Sequence, residues 1–186
     1  GLQRTLEAAR QLPEIYLQTP TGHPLVYRKR IARVVGNPKA GDLVVVYHSE
    51  NELLGYGLYN PKSELAVRML QWNGEPPGEA FWEEKLAEAV ALRRDILRLD
   101  SVTDAYRLVH AEADGLSGLV VDKLGDTLSA EVFSLAMWQR ADEIVARLAR
   151  RCGLNHWTVR PAPHVLAQEG FLAEPRSSEG FPDRVT

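Results

Sequence analysis

The sequence predicts a mixed α/β protein of two domains, a small β-barrel followed by an α+β domain in the order α-β-β-β-α-β. Three observations carry this. Between residues 14 and 72, short β-branched and aromatic runs alternate with turn residues, the spacing of a barrel or sandwich. Residues 73–79, "NGEPPGE", hold two prolines and two glycines in seven positions, the clearest break in the chain. Beyond it, two stretches of helical periodicity bracket three strand-like runs, so helices are expected on one face of a small mixed sheet. The expected boundaries are 1–72, 79–175 and a linker over 176–186.

In the first region, "EIYLQ" reads as a strand, "TPTGHP" as a turn and "IARVVG" as a second strand closed by Gly36, Asn37 and Pro38. "DLVVVYHS", "LLGYGLY" and "LAVRMLQW" follow as further strands, separated by "SENE" and by Asn60-Pro61. Gly55 and Gly57 interrupt a strand, which predicts a bulge or a close backbone approach. The N-terminal "LQRTLEAARQL" reads as an added helix.

In the second region, residues 79–98 predict a helix with Trp82, Leu86, Ala89, Val90, Ile96 and Leu97 on one stripe. Glu79, Glu83 and Glu84 at its start and Arg93, Arg94 and Arg98 at its end complement the helix dipole. "YRLVHAE", "GLVVDKL" and "DTLSAEVFS" are three strands, the last two joined at Gly125-Asp126. A second helix is expected over 135–152, with Met137, Ala141, Ile144, Val145 and Leu148 facing inward and Gly153 as its stop. "HWTVRP" is a last strand, and "EPRSSEGFPDRVT" reads as linker.

Composition narrows the function classes. The chain has 186 residues, 45% hydrophobic and 25% charged, enough apolar material for a core without disulfides. A single cysteine, Cys152, forms no intramolecular disulfide and no zinc cluster, which suits a cytoplasmic protein. No run is long and apolar enough to span a membrane, and the N-terminus lacks the pattern of a signal peptide. The net charge of −3 argues mildly against nucleic acid, whose usual footprint is basic. The charge is unevenly placed, however. Residues 15–41 contain no acid but hold Arg28, Lys29, Arg30, Arg33 and Lys39. A phosphate responds to such a local patch, because screening limits the reach of charge to about 8–10 Å.

Four motifs invite chemistry. His110, Glu112 and Asp114 alternate, and in a strand they would share a face, as a metal site or proton relay needs. Same-face neighbours on one strand stand about 7 Å apart and diverge, and Asp114-Gly115 is a turn dipeptide, so polar shaping of a hairpin is the competing reading. Cys152 closes a helix, where the dipole opposes a thiolate, and reads as a buried, inert thiol. "GYGLYN" lacks the strand-to-helix context of a phosphate loop. "HPLVYRKRIAR" combines cations with Tyr27, the pairing that clamps phosphates and stacks a base, or else is an ordinary solvated face. No Ser-His-Asp set, P-loop or H-E-x-x-H is present. Residue chemistry alone therefore expects no catalytic residue, no cofactor site and no metal site in this chain.

Three stretches, "GHPLVY", "ARVVGNPKAGDLVVVYHSENELLGYGLYNPKSELAVRML" and "YRLVHAEADGLSGLVVDKLGD", together resemble bacterial 23S rRNA cytosine-5 methyltransferases that use S-adenosylmethionine. The resemblance covers about residues 15–175. It implies an N-terminal PUA domain that binds RNA, a central α/β domain containing the "E-A-D-G" stretch, and a C-terminal Rossmann-like domain with the methyl donor and catalytic cysteine. The first two match this chain. The third is expected to be missing, so the chain alone should be inactive, S-adenosylmethionine belongs to the full-length protein, and Cys152 is not the family's nucleophile. Leu25 stands where the family often has an aromatic, and Ser117 where it usually has proline.

The RNA-binding residues expected on this basis are Arg28, Lys29, Arg30 and Arg33 at phosphates, Tyr27 as a stacking ring, Gly22 and His23 shaping the adjoining turn, and Lys39 and Lys62 in support. Ribosomal RNA is the expected partner, a membrane is not, and a homodimer is left open. The alternatives are a metal-dependent hydrolase using His110, Glu112 and Asp114, and a non-catalytic RNA-binding or interaction module.

Overall fold

The computed structural model describes residues 12–49 and 52–182. The helix expected over residues 2–12 falls almost wholly outside them. Two sheets carry the fold. The first contains β1 (Glu14–Leu17), β2 (Leu25–Val26), β3 (Ile31–Val35), β4 (Leu43–His48), β5 (Glu52–Tyr59) and β6 (Val67–Trp72), in the order β2-β6-β5-β4-β1-β3. It curls into a half-barrel. The short β2, within a stretch expected only as turn and basic segment, pairs with β6.

Alternation builds the interior of this sheet. Ile15 and Leu17 of β1, Val44 and Val46 of β4, and Val67 and Met69 of β6 point inward with Val26 and Tyr59. Glu14 and Tyr16 take the opposite face of β1. Gly55 and Gly57 are required. A Cβ at Gly55 would lie 2.0 Å from the Gln71 carbonyl oxygen, and one at Gly57 2.6 Å from the Val67 side chain. The β5–β6 register shifts between Tyr56 and Gly57, the bulge these glycines predict.

The second sheet has the order β11-β10-β9-β8-β7: β7 (Ala105–His110), β8 (Leu119–Leu124), β9 (Thr127–Val132), β10 (His156–Pro161) and β11 (Arg176–Ser177). β7, β8 and β9 are antiparallel, β10 runs parallel to β9, and the crossover between them carries the helices α2 (Leu135–Trp138) and α3 (Ala141–Cys152). α1 (Glu79–Ala91) precedes the sheet and α4 (Val165–Glu169) follows β10. α3 buries Ala141, Ile144, Val145, Leu148, Ala149 and Cys152, the i, i+3, i+4, i+7 stripe of an amphipathic helix. Gly153, at φ 72°, ends it, and the Leu154 amide donates back to the Ala149 carbonyl.

Three further elements differ from expectation. The helix expected over 79–98 is α-helical only to Ala91, and Leu92–Ile96 form a π-helical turn. The wider turn rotates the stripe, so Ile96 and Leu97 are 71% and 55% exposed rather than buried. Arg93 and Arg94, expected as dipole-complementing residues, bind Asp114 and Asp100 instead. The helix expected over 135–152 is divided after Trp138, with Ser134 Oγ accepting from the Met137 amide to cap the first turn. Finally, the segment read as linker contributes β11. The Arg176 guanidinium lies 4.0 Å over the Trp138 ring and donates to the Trp138 carbonyl.

The two sheets meet through side chains. Leu58 and Leu70 belong to the same apolar cluster as Leu86, Leu116 and Leu148. Gly41 meets Gln139 so closely that a Cβ there would sit 1.9 Å from its side-chain oxygen. Asn60 donates to both the backbone and the carboxylate of Glu169, 2.9 Å each.

Candidate nucleic-acid interface

Between β2 and β3 the chain makes one 3-10 turn, Arg28–Arg30, with Tyr27 at its start and no buried residue. Arg28 anchors it. Its amide donates to the Glu64 carbonyl at 2.7 Å, and Nε and Nη2 both donate to the Ser63 carbonyl at 3.3 and 2.9 Å. The same guanidinium faces Glu64 at 3.8 Å. Arg28 therefore serves the fold first and has limited capacity left for a ligand. Lys29 is exposed and Arg30 half-buried, and neither charged group has a partner among the described residues.

Arg33 belongs to a ladder across three strands. β3, β1 and β4 place Arg33, Tyr16 and Tyr47 in register. The guanidinium lies 4.1 Å above the Tyr16 ring, and Tyr16 stacks on Tyr47 at 5.2 Å with planes 23° apart. The Tyr16 hydroxyl donates to Glu14 at 2.7 Å, and that carboxylate, mainly through this hydrogen bond, pushes the phenol above its ordinary pKa. His23 organises the preceding turn: its amide donates to Thr21 Oγ1 and its Nδ1 accepts from the Leu25 amide, both at 3.1 Å. Gly22 is exposed beside it with nothing within 4 Å of a Cβ position. Lys39 is exposed on the loop before β4, its amide bound to Asp42, away from the 3-10 turn in the chain.

Lys62 borders a cleft of about 450 Å³ between the 60–66 loop and α4, which is also lined by Tyr27, Glu64, Arg68, Gln168 and Glu169. The loop is internally braced. Asn60 Oδ1 accepts from the Lys62 amide, Ser63 Oγ from the Leu65 amide, and the Asn60 amide donates to the Ala66 carbonyl. Sequence reasoning missed Arg68, Gln168 and Glu169. The one signal for Arg68 was a charge inside the apolar run "AVRMLQW".

The comparisons with known proteins bear on this first sheet. The model of a PUA-like domain matches residues 20–72. These residues form a PUA-like domain. Over 88% of its length the chain is 31% identical to the ribosomal RNA large subunit methyltransferase I of Vibrio cholerae, covering 38% of that protein. It is 34% identical over 68% of its length to the namesake in Shewanella denitrificans, covering 32% of it. The chain thus spans less than two fifths of the curated relatives it matches. Two solved structures share the fold at 15% identity. One, from Streptococcus mutans, is classed as a SAM-dependent methyltransferase (TM-score 0.66; 80% of this chain, 40% of that one). The other is classed as a methyltransferase and is complexed with SAH (TM-score 0.64; 86% and 38%).

The second sheet's alternating triad does not assemble. β7 ends at His110, and Ala111–Asp114 form a 3-10 turn closed by Gly115 at φ 70°. The two-residue period that would align the three side chains therefore stops at the first of them. Asp114 turns inward to a bidentate pair with Arg93, at 2.5 and 2.9 Å, and accepts from the His110 amide at 2.6 Å. Glu112 accepts from Ser117 Oγ at 2.7 Å and faces Arg68 of the PUA-like domain at 3.5 Å. Ser117, where proline would have no hydroxyl, also accepts from Arg68 at 3.4 Å. Among the described residues no three His, Cys, Asp or Glu side chains are placed to hold a metal, and the hydrolase reading has no geometry behind it. Cys152 is buried, and burial raises its thiol pKa, which is the opposite of activation.

Proposed function

We propose that this chain is the RNA-recognising part of an S-adenosylmethionine-dependent rRNA cytosine-5 methyltransferase, working in the cytoplasm on large-subunit RNA. The reading rests on one observation: unpaired cations at Lys29 and Arg30, with Arg33 and Tyr27 beside them, project from a PUA-like domain in a chain similar along most of its length to rRNA methyltransferases. Lys29 and Arg30 take phosphates, Arg28 holds their turn against the 60–66 loop, and Tyr27 offers a ring. Gly22 and His23 shape the approach, and Lys39 and Lys62 extend the positive field. No helix among the described residues is long and apolar enough to cross a membrane.

The described residues do not fit the methyl donor. The Rossmann-like domain expected to hold it would place a glycine-rich turn between a parallel strand and a helix. The parallel pairs here are β1–β4 and β9–β10. β9 leads through Phe133 and Ser134 into α2, and β10 through Ala162, Pro163 and His164 into a helix of five residues, neither through a glycine; β1 and β4 lead into no α-helix. On this reading methyl transfer belongs to other parts of a longer protein, and this chain incubated with labelled donor and rRNA should transfer no label.

A filter-binding titration of structured rRNA across a salt series tests the reading. Replacing Lys29 and Arg30 together by alanine removes two phosphate contacts, leaves the Arg28 anchor in place, and flattens the log–log salt dependence by about 1.4, at roughly 0.7 per single-stranded contact. Equal affinity and slope for the two proteins would refute the assignment.

A further inference from the structure

The cleft beside Lys62 has a makeup that a phosphate site would not have. Its charged lining is balanced, with Lys62 and Arg68 against Glu64 and Glu169. A phosphate entering it would meet two carboxylates. A neutral planar group with both donors and acceptors on its edge would find partners for each. The volume of about 450 Å³ lies within the range of about 300–1,000 Å³ of small-molecule sites.

Each wall is prepared. Tyr27 stands at the mouth, 48% exposed, with no partner for its ring or hydroxyl among the described residues. The Arg68 side chain is largely buried, and its ion pairs with Glu112 and Glu169, at 3.5 and 3.7 Å, use Nη1 and Nη2. They leave Nε buried without a hydrogen-bond partner. Glu169 is held in place by Asn60 and by the Leu135 amide at 3.2 Å, and the Gln168 side chain has no partner among the described residues. Gly170 lets the Lys62 stem pass, since a Cβ there would lie 2.8 Å from Lys62 Cδ.

Resting on the RNA-binding reading above, we infer that the cleft receives one unpaired nucleobase of the bound RNA, stacked on Tyr27, with its polar edge toward Arg68, Gln168 and Lys62. The cationic turn next to it holds the flanking phosphates. An unstacked base on an aromatic ring is how proteins read single-stranded RNA. The PUA-like domain and α4 would then act together on one nucleotide.

Abasic scanning of an end-labelled single-stranded RNA oligonucleotide, one position at a time, tests this on the whole chain. One position is expected to lose affinity about tenfold when its base is removed, the effect of one stacked base. The loss persists in Tyr27→Phe and disappears in Tyr27→Ala. A flat profile, or a profile unchanged in Tyr27→Ala, overturns the inference while leaving the RNA-binding reading standing. A second measurement is independent of the oligonucleotide. In an NMR titration with the four free ribonucleosides, backbone amide shifts should concentrate at Tyr27, Lys62 and Gln168. If they do so although no oligonucleotide binds, the cleft stands and the RNA reading falls. Shifts that are absent or scattered over the surface overturn the cleft.

Discussion

The turn at Arg28–Arg30 and the turn at Ala111–Asp114 are both short 3-10 helices dense in charge, and they use that charge in opposite ways. In the second, each carboxylate is engaged. Asp114 holds Arg93 and the His110 amide, and Glu112 holds Ser117 and faces Arg68. In the first, Arg28 is tied to the 60–66 loop, while Lys29 and Arg30 extend without a partner among the described residues. Burial accounts for the difference. The Arg93 and Asp114 side chains are 11% and 7% exposed, where an uncompensated charge is expensive, so the fold must pair them. The 28–30 turn lies in water, where leaving a cation unpaired costs little. Charge enclosed by the fold holds it together, and charge left outside is available to a ligand.

Arg93→Ala puts this contrast under the greatest strain, because it leaves Asp114 buried and uncompensated. We expect a loss of about 3 kcal/mol in urea unfolding, the usual penalty for removing one member of a buried pair; an unchanged midpoint would mean that the pair is ornamental. Ser117→Ala removes the hydroxyl shared by Glu112 and Arg68 and should cost about 1 kcal/mol. Lys29→Ala with Arg30→Ala should leave stability within about 0.5 kcal/mol. The same variant should flatten the salt dependence of RNA binding by about 1.4, the share of two single-stranded phosphates. A large stability loss there would show that the turn is structural after all.

The smallest expected effect is alkaline. Burial raises the Cys152 thiol, and it likewise raises the Tyr59 phenol. A group whose folded pKa is raised contributes stability present below its unfolded pKa and lost as pH climbs through the folded one. Stability should therefore begin to fall above about pH 8.5, from the thiol, with tyrosine adding from about pH 10. Cys152 should resist alkylation in the native protein and react on denaturation. Rapid native labelling, checked by mass spectrometry, would contradict its burial.

Local pattern made much of this legible. Val44 and Val46 alternate into the first sheet's core, Gly55 and Gly57 mark the bulge, and the α3 stripe and Gly153 cap stand where periodicity puts them. The misreadings came where a distant partner redirected a local pattern. Helical spacing placed Ile96 and Leu97 inside, but the chain widens into a π turn beside Arg93, whose partner Asp114 is 21 residues away. Period two aligned His110, Glu112 and Asp114, but the strand ends at His110 and the acids turn toward two arginines. Of the candidate interface, the cations and Tyr27 were legible as composition. Arg68, Gln168 and Glu169 were not, because Glu169 reaches the loop through Asn60, 109 residues distant.

Residue order alone was thus enough for every strand but β2 and β11, for the faces of α1 and α3, for most of the turns and for the acid-free basic stretch. These follow from side-chain periodicity, from backbone conformations open to glycine, and from formal charge, all local properties. Which charges are enclosed and which remain free emerged only with the packed fold, as did the cleft that loop 60–66 and α4 border together. Pairing and burial depend on neighbours far apart in the chain, and a charge becomes structural or available only once the fold has determined how much water reaches it.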